Sequence, residues 1–256
     1  MDYILYLLIF CIGTLFGSFF TLAVYRIPLK QDITHTRSYC PNCNHKLDFW
    51  DMIPILSYIF IGGKCRYCKQ KIRPRYLILE ILTGITFLTL AFSVKLYTNN
   101  INNLINLVFL LIYVSVLFIV AGIDKENVKI EKSVLIFGFV IELLYIIYQY
   151  TLANLNVYQY VMYFITFGII LLILNLNRKN TKNINYIIQI LYLSLYMIVY
   201  SGIKIYFSTL VLTLVIIYIK RLAFKTKQVR ICFGFYLSII NILIITISNI
   251  ITNYII

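Results

Sequence analysis

The chain has 256 residues, 61% of them hydrophobic and 12% charged, with a mean hydropathy of +0.88 and a formal net charge of +14. That balance excludes a water-soluble domain of this length and defines an all-α, polytopic membrane protein. The basic residues follow the connecting segments and not a single face, which excludes a nucleic-acid partner and leaves the lipid bilayer, through its anionic headgroups, as the partner of the charge.

In chain order, apolar runs long enough to cross a hydrocarbon core of about 30 Å lie near 3 to 25, 76 to 98, 104 to 123, 134 to 152, 157 to 176, 184 to 200, 203 to 219 and 231 to 252. These are eight expected transmembrane helices. The stretch 184 to 219 is divided at Ser201-Gly202, because one helix over all of it would run about 54 Å; a long kinked helix is the competing reading. The first run is expected to be retained as a membrane helix, since Asp2 stands where a signal sequence carries basic residues and no small-residue cleavage site follows.

Lys and Arg divide unevenly between alternate connections. Residues 26 to 75 hold ten, 124 to 133 three, 177 to 183 three and 220 to 230 five, whereas the other side holds only Lys95 and Lys204. The positive-inside rule therefore places the rich segments in the cytosol and both termini outside it.

The one sizeable extramembrane segment carries a paired cysteine signal. Cys40 and Cys43 form one CxxC, Cys65 and Cys68 a second, and 21 residues separate the pairs. Each CxxC turn brings two thiolates toward one ion, and the second pair closes a tetrahedron, as in four-cysteine zinc ribbons. Pro41 and Gly62-Gly63 suit such turns. Two disulfides, or reduced thiols without metal, are the other readings; a cytosolic loop disfavours the disulfides. Four thiolates leave no open position, so the zinc is expected to be structural, and a module of about 50 residues depends on it for folding. His45 lies beside a knuckle and is an alternative ligand, although a solvated role suits it and His35 better. Cys11 and Cys232 fall in apolar spans and are read as packing residues.

Three further stretches extend this pattern: GSFFTLAVYRIP (17 to 28), WDMIPILSYIFIGGKCRYC (50 to 68) and IRPRYLILEILTG (72 to 84). Together with the CxxC pairs they resemble the amino-terminal half of type IV prepilin peptidases. The resemblance implies an eight-span bacterial inner-membrane enzyme that cuts the leader from type IV prepilin-like precursors at the cytosolic face and then methylates the new amino terminus with S-adenosylmethionine. It implies three parts: a first helix (1 to 25), a cytosolic methyltransferase-associated module (26 to 75) and a seven-helix membrane domain (76 to 256). S-adenosylmethionine rests on the resemblance alone, because no glycine-rich nucleotide loop supports it.

The sequence departs from that family in two places. Thr21 stands where an asparagine is usual. More seriously, the resemblance implies two catalytic aspartates, and only Asp124 is present. Ile130 keeps the register after it, but Glu131 and Lys132 replace Pro-Asp. Measured from CFGFY (232 to 236), Asn183 occupies the second aspartate position, with neither glycine of the expected Gly-x-Gly-Asp.

No Asp or Glu occurs after Glu142. Aspartic proteolysis requires two carboxyls sharing a proton, and an amide cannot accept one. Glu126 is first among substitutes, although two residues along a helix it points about 200° away, and Glu80 is a distant second. Glu80 and Glu142 lie inside apolar runs, where an ionisable group is by default paired or functional. Arg26 and Arg75 are the candidate partners of Glu80, with a protonated acid bonded within the bundle as the alternative. Asp124 itself has a plainer reading, a helix-end acid balanced by Lys125 and Lys129.

Three functions remain open: a prepilin leader peptidase and N-methyltransferase that is active through an unusual carboxyl or through a homodimer joining two copies of Asp124; a proteolytically silent paralogue; or a membrane-anchored zinc-ribbon adaptor in pilus or secretion assembly.

Overall fold

The computed structural model describes residues 2–35, 37–95, 101–152, 157–176, 182–224 and 232–254; the side chains at 2, 157, 175–176, 182–183 and 223–224 fall outside the description. Among the described residues, eight long helices follow the apolar runs: α1 (Asp2–Arg26), α3 (Arg75–Ser93), α4 (Ile101–Asn127), α5 (Lys132–Thr151), α6 (Val157–Leu176), α7 (Lys182–Ser201), α8 (Ile203–Phe224) and α9 (Phe233–Tyr254). A short α2 (Leu56–Phe60) follows a single 3-10 turn, Phe49–Asp51, in the connection between α1 and α3. By length and composition seven of the described helices suffice to cross a membrane, and the apolar Tyr158–Leu174 within α6 is slightly shorter. The expected continuation of the second span to residue 98 lies outside the described residues.

The chain divides into two compact units, Met1–Leu107 and Val108–Ile256. In the first, α1 packs on α3. Gly13 and Gly17 form a small-xxx-small face, which lets two helix backbones approach where lipid offers no hydrophobic drive. A Cβ on Gly13 would lie 2.8 Å from the Gly84 Cα, and one on Gly17 would lie 2.7 Å from the Glu80 Cα. Toward the other end Tyr6 stacks on Phe92 with ring centroids 4.1 Å apart. Rising numbers in α1 meet falling numbers in α3, so the pair is antiparallel. Both chain ends of the cysteine module are thereby brought to one end of the pair.

In the second unit α7 contacts α5, α6, α8 and α9. Every residue from Leu193 to Val199 is buried, as expected of a helix covered on all faces. The division at Ser201-Gly202 is real: Gly202 adopts φ +82° between α7 and α8. The Tyr206 hydroxyl donates to Ser194 Oγ at 2.8 Å. Twelve residues along an unbroken helix would separate these two by about 18 Å, so the chain turns back there. The kinked-helix reading fails on that bond.

Candidate functional site

The cysteine module is built from two copies of one turn, 25 residues apart. In the first, Cys40 N–H donates to the His45 carbonyl at 3.0 Å and Asn44 N–H donates to the Cys40 carbonyl at 2.8 Å. In the second, Cys65 N–H donates to Gln70 at 2.8 Å and Lys69 N–H to Cys65 at 3.0 Å. Each turn is closed by an antiparallel bridge, Tyr39 with Lys46 and Lys64 with Lys71. Each passes through the left-handed region at its fourth step, at Asn44 (φ 57°) and Lys69 (φ 60°). Asn tolerates that conformation readily and Lys less so. Gly62 and Gly63 have positive φ as well, but they lie after α2, ahead of the second turn and not within it.

The four Sγ atoms converge to within 4.8 Å of one another, and Cys40 Sγ and Cys68 Sγ are 3.8 Å apart. A tetrahedral ion with sulfur bonds of about 2.3 Å needs sulfur separations of about 3.8 Å, so the donor set fits a metal ion. All six cysteines are free of disulfides. The Gln70 amide and the Asn42 carboxamide hold the Cys68 thiol down, to about 6. Against the pull of the His45 amide, desolvation and the neighbouring Cys40 and Cys68 push Cys43 up, to about 11.

His45 is not among the converging donors; its ring lies over Tyr67 with centroids 3.6 Å apart. The Tyr67 hydroxyl donates to Asp48 at 2.9 Å, and Arg66 pairs with Asp51 at 3.1 Å. These contacts fasten the second knuckle to the 3-10 turn. Sequence reading missed them because all four residues look like ordinary loop polarity.

Glu80 accepts the Ile55 N–H at 2.8 Å. That amide belongs to a strained turn: Ile55 has φ 62° and ψ −56°, and Leu56 N–H reaches back to the Pro54 carbonyl at 2.6 Å. This is a γ-turn of the rare hand, unfavourable for a β-branched residue. Arg26, a candidate partner of Glu80, donates to the Asp32 and Arg37 carbonyls at 2.9 and 3.3 Å. Thr21 donates to the Ser18 carbonyl at 2.7 Å.

In the second unit Asp124 is fully buried near the end of α4. The Tyr186 hydroxyl lies 2.8 and 3.0 Å from its two oxygens, and Phe235 N–H donates to Oδ2 at 2.9 Å. The first N–H groups of a helix have no intrahelical acceptor and favour an anion; α9 starts at Phe233 and presents its first turn to this carboxylate. Gly234 permits the approach, since a Cβ there would lie 3.1 Å from Oδ2.

The helix-end reading with lysine balance is therefore replaced. Lys129 pairs with Glu131 at 2.7 Å, and the Lys125 ammonium sits over the Phe235 ring at 4.9 Å. Asn183 falls in the first turn of α7, three residues before Tyr186, and its side chain lies outside the described residues. Tyr186, Gly234 and Phe235 were hidden in the sequence: CFGFY served only to set a register, and one tyrosine among 23 carries no signal.

Glu142 is buried in α5, and among the described residues neither of its carboxyl oxygens has a hydrogen-bond partner. Tyr113 stacks on Tyr200 at 4.1 Å and on Tyr196 at 5.1 Å, and it donates to Asn241 Oδ1 at 2.7 Å.

These features define a multi-pass helical membrane protein with a four-thiolate module between its first two membrane helices. Residues 11–94 match the Bacterial Peptidase A24 N-terminal domain. The chain is 35% identical over 102 residues to a prepilin leader peptidase/N-methyltransferase of Vibrio cholerae, covering 37% of this chain and 39% of that protein. It is 32% identical over 125 residues to one of Klebsiella pneumoniae, covering 46% and 52%, and 34% identical over 132 residues to one of Bacillus subtilis, covering 51% and 50%. Over these matched residues the chain is similar to type IV prepilin peptidases. The chain spans about half or less of the length of the curated relatives it matches. No solved structure matches it.

Proposed function

We propose that this protein engages type IV prepilin-like precursors at the cytosolic face of a bacterial inner membrane, through the family's amino-terminal module, and does not cleave their leaders by itself. The observation that carries the second half is the surroundings of Asp124. Its two oxygens are taken by a phenol and a backbone amide, and the segment in which the second aspartate is expected holds no Asp or Glu. A phenol and an amide N–H donate hydrogen bonds to a carboxylate and keep their protons, whereas proteolysis needs a second carboxyl with which a proton is shared. Asp124 in this reading is a latch between α4, α7 and α9.

The cysteine cluster holds a structural zinc ion, and four thiolates around it leave no position for substrate. Methyl transfer from S-adenosylmethionine is supported only by the printed names of the relatives. The expected division into residues 1–25, 26–75 and 76–256 and the outward termini belong to the same reading. Co-purification of a prepilin-like precursor with the membrane-embedded protein tests the binding half. The precursor is expected to be recovered bound, with its leader attached; absence of binding in proteoliposomes that retain the metal contradicts it.

A further inference from the structure

The segment that joins the two cysteine knuckles exposes apolar side chains that the module does not cover. Trp50 is 69% exposed and Phe60 82%, and Phe49, Leu56 and Ile59 are exposed beside them. For a segment in open cytosol such a patch is a liability. We propose that residues 49–60 lie in the headgroup and upper acyl region of the cytosolic leaflet, with anionic lipid as the ligand.

Two observations choose lipid as the occupant. The first is depth. Glu80 lies five residues into α3, about 7.5 Å from its start at 1.5 Å per residue, and it holds the Ile55 N–H at 2.8 Å. The γ-turn at Ile55 is thus pinned alongside the opening turns of a membrane helix, and α2 leaves from that point. Interfacial helices bury their apolar face by about 5–10 Å, which is the same depth. Tyr58 adds a second tie, donating to the Ile72 carbonyl at 3.4 Å.

The second observation is charge. From Met52 to Leu79 the chain has six basic residues, Lys64, Arg66, Lys69, Lys71, Arg73 and Arg75, and no acidic one. Basic groups beside an apolar aromatic patch are the composition that partitions to anionic interfaces. Tryptophan favours that level of the bilayer, where its ring is amphipathic.

Trp50 is the only tryptophan in the chain, so its fluorescence reports the position without any substitution. The full-length protein in proteoliposomes containing phosphatidylglycerol is expected to show blue-shifted emission that aqueous acrylamide quenches weakly. Lipids brominated near the headgroup end of the chain should quench it at least twofold more than lipids brominated near the terminal methyl. A variant combining Ile59→Ser and Phe60→Ser should lose at least half of the bromolipid quenching while keeping its metal content, which separates docking from unfolding. Emission typical of a water-exposed indole, readily quenched by acrylamide, would overturn the proposal. So would an indole shielded from acrylamide yet indifferent to brominated lipid, since that result assigns the patch to a second protein surface.

Discussion

The hydroxyl of Tyr186 sits astride the carboxylate of Asp124, 2.8 and 3.0 Å from its two oxygens, and ties the start of α7 to the end of α4. A hydrogen bond to a charged, buried group contributes about 1.5–3 kcal/mol. Tyr186→Phe is therefore expected to destabilise the protein by about that amount. Asp124→Ala and the double variant complete a cycle, and a coupling energy of about 1–3 kcal/mol is expected from denaturant unfolding in detergent. Additive losses would show that the two groups do not share a bond.

The cysteine turns give a prediction about metal. Cys65→Ser is expected to abolish metal binding and to loosen residues 40–71, measured by elemental analysis and by hydrogen exchange, while the membrane helices stay inserted. Retention of a full equivalent of metal by this variant would contradict a four-thiolate site.

Gly17 faces backbone atoms of α3, which cannot step aside as a side chain can. Gly17→Ala should separate α1 from α3 and cost about 1–3 kcal/mol. Among the described residues nothing lies within 4 Å of a Cβ added to Gly168 inside α6, so Gly168→Ala is the matched control and should leave the thermal midpoint equal or slightly raised, alanine being the better helix former.

Glu142 leads to the opposite expectation. Among the described residues neither buried carboxyl oxygen has a partner, so removing the group abolishes a desolvation cost and breaks none of the hydrogen bonds described. Glu142→Met is expected to leave thermal stability equal or raised. A large loss would show that the carboxyl binds something in the membrane.

Much of this architecture was legible because a bilayer permits so few solutions. Apolar runs of fixed length gave all eight long helices to within a few residues, and the CxxC spacing gave the four thiolates. Gly202 was readable because glycine between two apolar runs marks a break. The surroundings of Asp124 were not, because they rest partly on a backbone N–H, which every residue except proline carries. Tyr186 becomes visible only when α7 is laid beside α4, and the Glu80–Ile55 bond depends on a strained dihedral that no residue type announces.

Asp124 is proposed as a latch and not as half of a protease. The direct test is leader cleavage of a prepilin-like substrate by the purified chain in proteoliposomes, compared with Asp124→Ala. The expected result is an intact precursor with both proteins and a lower unfolding midpoint for the variant. Robust cleavage by the unmodified chain that disappears with Asp124→Ala would make Asp124 catalytic and rule out the latch.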